Sequence, residues 1–506
     1  MAHEQPTYDE VYVISDIHIG GQGDFQIFKD GQRLTWFINY IAHLSGERKI
    51  ALVLNGDIVD FLADQDAKCF EPLRAVAKLE AVFDDLTFKN VWIALRDFVR
   101  TKNRTLILVL GNHDIELSLP AVTHRLLWEL CSDDEPARGR IKFIFDNSGF
   151  SCSVARAQVL CVHGNEVDEY NIIDYEALRR VIVAINRGLD IPEMSHNAGT
   201  YLVVNVMNQI KKNYPFVDLL KPETKAALRL LALIGDETVR TTIGRFFDFF
   251  IATIHGQHAV REGRLGGETS LTAPTSERAR AGLADLRNEL LANRRAIISL
   301  DERLLMQTEA DLDQDISPTD PLISERSTAT LGGFATYLWD CLRGKDQDEA
   351  IREAMIEWLH NDHTFAVDEP DDQFQRLCAT TSPKIDFLIA GHTHLARALR
   401  RPTGGYYFNS GTWSRLIELT PELLQDVGRF SEITAAMRAH SMRALEQVPG
   451  LVLTRLTVVC LREVGGRAVG SLEEVIEASD GNYALARAQL RSRDGPTVGE
   501  TRFIQE

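Results

Sequence analysis

Aspartate, histidine and asparagine recur in five short clusters, each at the end of an apolar run. "VYVISDIH" ends on Asp16 and His18, and "IALVLNGD" ends on Asp57, with Asp60 shortly after. "TLILVLGNHD" ends on Asn112, His113 and Asp114, "QVLCVHGN" contains His163, and "KIDFLIAGHTH" ends on His392 and His394. A buried strand handing over to a turn has use for Gly-Asn, but not for the His-Asp that follows it. These side chains offer nitrogen and oxygen ligands without a thiolate, a set suited to divalent metal ions. Seven ligands drawn from these ten residues would be about right for two ions sharing one carboxylate, which can hold a phosphoryl group and activate water when roughly 3.5–4 Å apart. The Asp-x-His and His-x-His spacings help, because alternate residues of an extended segment point to one side. Glycines beside Asp57, Asn112, His163 and His392 permit tight turns and close backbone approach.

The elements that would position these clusters follow from the runs themselves. Continuous Val, Ile and Leu runs are what strands covered on both faces look like. The stretches between the first three, "QIFKDGQRLTWFINYIAHL" and "EPLRAVAKLEAVFDDLTFKNVWIALRDFV", carry helical apolar spacing. Strand and helix alternate, so an α/β sheet is expected, with its ligand site beyond the carboxyl ends of the strands. All five clusters then face one edge of the fold.

Together, Asp16-Ile17-His18, Gly56-Asp57-Ile58-Val59-Asp60, Gly111-Asn112-His113-Asp114, His163-Gly164 and Gly391-His392-Thr393-His394 resemble the five motifs of the calcineurin-like metallophosphoesterases, in the family's order. The resemblance implies a two-sheet α/β sandwich flanked by helices, with a dinuclear metal site at its edge. It implies that Asp16, His18, Asp57 and His394 hold one metal, and that Asp57 bridges to a second held by Asn112, His163 and His392. His113 would face the substrate, Asp60 would orient it, and Asp114 would support the loop. The resemblance covers about residues 8–170 and 383–465. Phe61 and Leu62 follow Asp60 where the protein Ser/Thr phosphatases of this fold have Arg-Gly, which argues against that branch. "HGNEVD" and "NSGTW" (409–413) are more similar to the branch of the UDP-diacylglucosamine pyrophosphohydrolases.

More than two hundred residues separate His163 from His392. Residues 1–170 read as the first part of the core and 171–382 as a mostly helical insertion, a cap that selects substrate or a bundle that joins subunits. Residues 383–470 read as the second part, with "GLVLTRLTVVCLREV" (450–464) as an edge strand of the second sheet, and 471–506 as a polar tail. Other features have plainer readings. His255 and His258 lack matching carboxylates for a metal site. Arg397, Arg400 and Arg401 could grip phosphate, although a solvated strand end explains them better. Asn165 and Asp168 fit a pocket wall and a surface turn equally, and Trp413 reads as packing.

Composition bounds the function. The chain has 506 residues, 44% hydrophobic and 25% charged, as in ordinary soluble globular proteins. A net charge of −18 disfavours nonspecific nucleic-acid binding. Seven scattered cysteines without a CxxC fit a reducing compartment. "MAHEQPTYDE" does not resemble a signal peptide, and "IGRFFDFFIATIHG" is too short and too charged to span a membrane. The expectation is a cytoplasmic, dinuclear metal-dependent hydrolase of a phosphoester or pyrophosphate bond in a small or nucleotide-linked substrate. Its two divalent ions would be Mn, Fe or Zn, given the mixed imidazole and carboxylate ligands. A nuclease of the same motifs is the first alternative. A non-catalytic scaffold of the same fold is the second, although such scaffolds lose ligands and all seven stand here.

Overall fold

The computed structural model describes residues 5–168, 170–221, 347–359, 362–479 and 481–505. They group into two units, one of residues 1–219, 363–416 and 453–506, the other of residues 220–362 and 417–452. His255 and His258 lie outside the described residues.

In the first unit the apolar runs form strands β1 (Thr7–Tyr8), β2 (Glu10–Ile14), β3 (Ile50–Asn55), β4 (Arg104–Val109), β5 (Ile141–Ile144), β6 (Phe150–Val154) and β7 (Ala157–Cys161). After a long interval come β8 (Phe387–Ala390), β9 (Arg397–Arg400), β10 (Tyr406–Asn409), β11 (Thr457–Val464), β12 (Arg467–Glu477), β13 (Tyr483–Arg487) and β14 (Arg502–Ile504). One sheet runs β13-β12-β11-β2-β3-β4-β5, with β14 on β12; the other runs β1-β6-β7-β8-β10-β9. Strands β2 to β5 are parallel, as connecting helices require.

The three leading strands are apolar throughout because both of their faces are covered. Tyr12, Ile14, Leu52, Leu54, Leu106 and Leu108 alternate into a core shared with the helices. Val11, Val13, Ala51, Val53, Ile107 and Val109 alternate the other way, into a core shared with Phe150, Cys152, Val159, Cys161, Phe387, Ile389 and Phe408 of the second sheet. That middle layer holds the two sheets face to face. Helices α1 (Gly31–Ala42), α2 (Ala75–Asp84), α3 (Lys89–Arg100) and α4 (Pro120–Cys131) cover the first sheet. Helix α3 shows why: Val91, Trp92, Leu95, Phe98 and Val99 recur at helical spacing on one buried stripe. The far face of the second sheet packs Leu388, Ala390 and Tyr407 against Phe374, Leu377 and Cys378 of helix Asp372–Thr380.

Four expectations need correction. Strand β11 is no edge strand of the second sheet: it pairs antiparallel with β2 and β12 inside the first. Val458 and Cys460 face the helix-side core, while Val459 and Leu461 face the middle layer. The residues read as a polar tail form β13, β14 and the second half of β12, and Phe503 stacks on Tyr406 with ring centroids 4.6 Å apart. Their many charged residues alternate with buried Leu472, Val475 and Phe503, a pattern that composition hides. The insertion is also narrower at both ends. Residues 171–219 belong to the first unit, where helix Tyr175–Asn186 buries Ala177, Leu178 and Val181 in the helix-side core. Residues 363–382 belong there too, and 417–452 group instead with the second unit.

Among the described residues, the second unit is mostly helical. Helix Gln347–Trp358 and helix Val427–Arg438 are tied by an Arg438–Asp348 ion pair and by Thr434 Oγ1 donating to Asp348 Oδ2 at 3.1 Å. A parallel pairing of Ile417 with Leu220 adds a short strand contact. No described helix is long and apolar enough to cross a membrane.

Candidate metal centre

Strands β2, β3 and β4 of one sheet and β7 and β8 of the other each end on one of the five clusters, and the fold brings these ends together. His18 Nε2 lies 3.0 Å from His394 Nε2 and 3.9 Å from Asp57 Oδ2. His394 Nε2 lies 3.4 Å from Asp16 Oδ1, across 378 positions of sequence, and His163 Nε2 lies 3.3 Å from Asp57 Oδ2. Asp16, His18, Asp57, Asn112 and His163 are buried. Among the described residues, three groups have donor atoms close enough to hold a cation: Asp16, His18 and His394; Asp57, His163 and His392; and His18, Asp60 and His113.

The backbone bends sharply to present them. Asp16, His18, Asp57, His392 and His394 all adopt positive φ, between 50° and 70°, a left-handed conformation that side chains other than Gly, Asn and Asp rarely enter. Strain of this kind persists only where its surroundings over-determine it, and it concentrates at functional sites. The glycines work by close approach: a Cβ on Gly111 would sit 2.2 Å from Asp57 Oδ1, and one on Gly391 would sit 2.3 Å from Ser15 Oγ. Asp114 Oδ1 accepts from Gly111 N at 2.7 Å and its Oδ2 from Ile58 N at 2.8 Å, joining the loops after β3 and β4. Asp57 Oδ1 accepts from His113 N at 2.8 Å.

The third group differs in kind. Asp60 Oδ2 is 3.1 Å from His18 Nδ1, and its Oδ1 is 3.2 Å from His113 Nδ1. Burial alone would raise the Asp60 carboxyl, but the His113 and His18 imidazoles hold it well below the usual carboxylate range. It is therefore an acceptor, each imidazole donates from Nδ1, and both Nε2 atoms are left facing elsewhere. Burial also works against charge on His113, yet Asp60 and Asp57 raise it to about 9. His163 behaves alike: Asp57 and Asp16 overcome burial and raise it to about 10. A field that draws protons to these imidazoles also draws divalent cations, which displace the protons on binding.

Two buried atoms decide the fit. Asn112 Oδ1 and His163 Nε2 have no hydrogen-bond partner, although both residues are otherwise engaged. His163 Nδ1 is satisfied by Asn55 O at 2.8 Å, which aims the bare Nε2 at Asp57. An unpaired buried polar atom costs about 1–3 kcal/mol, so Asn112 Oδ1 calls for a ligand, and His163 Nε2 has only the Asp57 carboxylate at 3.3 Å to face. The donor set fits a divalent cation.

Several supporting residues had little or no signal in the sequence. Gln373 Nε2 and Asn409 Nδ2 both donate to Gly391 O, at 3.1 and 2.7 Å, and Asn409 Nδ2 also reaches Thr393 Oγ1 at 3.1 Å. They hold the loop carrying His392 and His394. Asn409 was visible in "NSGTW", whereas Gln373 fell in the stretch read as insertion. Arg397 and Arg401 are neither phosphate grips nor solvated. Arg397 donates to Thr364 O at 2.7 Å and pairs with Asp371 at 3.3 Å, and Arg401 donates to Ile385 O at 2.7 Å. Arg400 lies over the Tyr406 and Phe503 rings. Trp413 is buried packing, its Nε1 donating to Thr457 O at 3.0 Å.

No curated protein and no solved structure matches the chain. Residues 10–210 match the calcineurin-like phosphoesterase family, whose members are metal-dependent phosphoric ester hydrolases. The matched span carries the first four clusters, and the structure itself delivers the fifth, His392 and His394, to the same place. Over these residues the chain is similar to the calcineurin-like phosphoesterases.

Proposed function

We propose that the protein hydrolyses a phosphoester or pyrophosphate bond in a small or nucleotide-linked substrate, using two divalent ions, Mn, Fe or Zn. The observation that carries this reading is that His163 Nε2 faces the Asp57 carboxylate at 3.3 Å without a hydrogen bond, while Asn112 Oδ1, in the cluster after β4, is buried and without one as well. Asp16, His18, Asp57 and His394 would hold one ion, and Asp57, Asn112, His163 and His392 the other. Bound there, the ions would neutralise phosphoryl oxygens and activate water for attack on phosphorus.

The chain's own residues supply the rest. Asp57 fixes the His113 backbone through its N–H, and Asp60 holds the His113 ring through Nδ1, so Nε2 is the atom offered to substrate. From there His113 donates a proton to the leaving oxygen, with Asp60 keeping ring and tautomer in place. Six described cysteines are buried free thiols, which supports a cytoplasmic setting. The helical insertion would serve as a cap that selects substrate or as a subunit contact.

The test is metal-reconstituted protein assayed on a panel of mono-, di- and pyrophosphate esters. Turnover of one class, abolished by chelation and restored by Mn, Fe or Zn, is the expected result. A protein that binds two ions and cleaves none of them would overturn the catalytic reading.

A further inference from the structure

Two residues outside the five clusters join two of the proposed ligands to each other. Asp168 Oδ2 accepts from His392 Nε2 at 2.8 Å and from Asn171 Nδ2 at 2.7 Å, while its Oδ1 accepts from Tyr170 N at 3.0 Å. Asn171 N in turn donates to Asp168 O at 2.9 Å, closing the turn. On the other side, Asn171 Oδ1 accepts from Asn112 Nδ2 at 3.4 Å. The turn is itself anchored: Asn165 Nδ2 donates to Asn171 O at 3.0 Å, and Gly199 N donates to Tyr170 O at 2.8 Å. A Cβ on Gly199 would lie 2.0 Å from Asn171 Oδ1, so the segment after it presses directly on this side chain.

Each of these contacts selects a donor atom. An imidazole that gives its Nε2 proton to a carboxylate has only Nδ1 left for a cation. An asparagine whose amide nitrogen is spent on a neighbour presents its oxygen, and Asn112 Oδ1 is the atom found buried without a partner. Outer carboxylates and amides commonly fix ligand orientation at metal sites in this way. Asp168 does not belong to any of the groups, among the described residues, whose donor atoms could together hold a cation. Its Oδ2 is already engaged twice.

We propose that Asp168 and Asn171 are positioning residues for one half of the metal centre: Asp168 makes Nδ1 the donor of His392, and Asn171 makes Oδ1 the donor of Asn112. The proposal rests on the metal-centre reading above. It predicts an asymmetric failure, because the side-chain hydrogen bonds of Asp168 and Asn171 reach His392 and Asn112, ligands proposed for the other ion only.

The experiment is titration of the full-length, metal-free protein with Mn(II), followed by electron paramagnetic resonance, which distinguishes a coupled pair of ions from a single one. The unaltered protein should fill both places and show the coupled signal. Asp168→Ala should weaken the second ion by about 10–100-fold, leaving the signal of one isolated ion at unchanged affinity. Asp168→Asn, which retains an acceptor for Tyr170 N, should lose less, and Asn171→Ala should fall between. Thermal melting of the metal-free variants shows whether each is folded, and the asparagine variant carries the test if the alanine variant is not. Two ions at unaltered affinity in folded Asp168→Ala overturns the proposal, as does equal weakening of both. An unaltered protein that takes up no pair of ions overturns instead the metal-centre reading beneath it.

Discussion

The bodies of strands β2, β3 and β4 and the loops at their carboxyl ends obey opposite rules within a few residues of each other. In the bodies the register is regular, from Val11 opposite Ala51 to Leu54 opposite Leu108, and the side chains of 11–14, 51–54 and 106–109 all enter one of the two apolar cores. At the ends, Asp16, His18 and Asp57 bend into left-handed backbone, and Asn112 leaves a buried oxygen unpaired. Strain at one such position costs of order 1–3 kcal/mol. A single buried Leu contributes roughly 1.5–3 kcal/mol, so the strand bodies can hold several strained ends in place. Stability is generated in one region and spent in the other, on ligand geometry that no relaxed turn would give.

Breaking the ends should therefore abolish chemistry without unfolding the protein. The largest effect is expected for Asp57→Ala, whose carboxylate faces both halves of the centre. Activity should fall by more than the 10–100-fold that an outer partner costs, with circular dichroism unchanged and metal content by elemental analysis near zero. Full metal occupancy in that variant would remove Asp57 from the site.

His113→Asn separates proton donor from ligand. Both ions should remain bound, while kcat/KM for an alkyl ester falls by about 10²–10⁴-fold. A nitrophenyl ester, whose leaving group needs no proton, should suffer much less. Equal losses on the two esters, or a missing ion, would defeat the assignment.

A strand body should fail in the opposite sense. Leu106→Ala, fully buried in β4, should cost about 2–5 kcal/mol of stability in urea melts. Its turnover per folded molecule should match the unaltered protein; a change in turnover would mean that strain at the ends is not insulated from packing.

Glu116 sharpens the comparison from a position close to both. Burial pushes its carboxyl up to about 7, and its Oε1 accepts from Glu71 N at 3.3 Å. An acid whose folded pKa lies above its unfolded value of about 4.3 contributes fully below that value and loses stability as pH rises toward 7. At about 1.4 kcal/mol per unit the loss is at most roughly 4 kcal/mol, and Glu116→Gln should remove it. Urea melts between pH 5 and 8 check this, and parallel pH curves for the two proteins would contradict it.

Much of the strand framework and the five clusters were legible in sequence because both signals are local. Continuous apolar runs mark strands buried on two faces, and the chemistry-bearing residues follow within five positions of each strand's end. The domain edges were less legible. The charge-rich residues 471–506 and the helix carrying Gln373 look alike whether they are solvated or packed, and only their partners distinguish the two states.

The sequence by itself determined which side chains could form the centre and which strands would carry them, since both depend on neighbours along the chain. Tertiary structure decided the rest. The approach of His394 to Asp16, the contact of Asp168 with His392 and the burial of Arg397 all depend on which strands lie side by side, β7 against β8 and β11 against β2. Those pairings join residues hundreds of positions apart, and they are selected by the complementarity of whole faces, which no local pattern encodes.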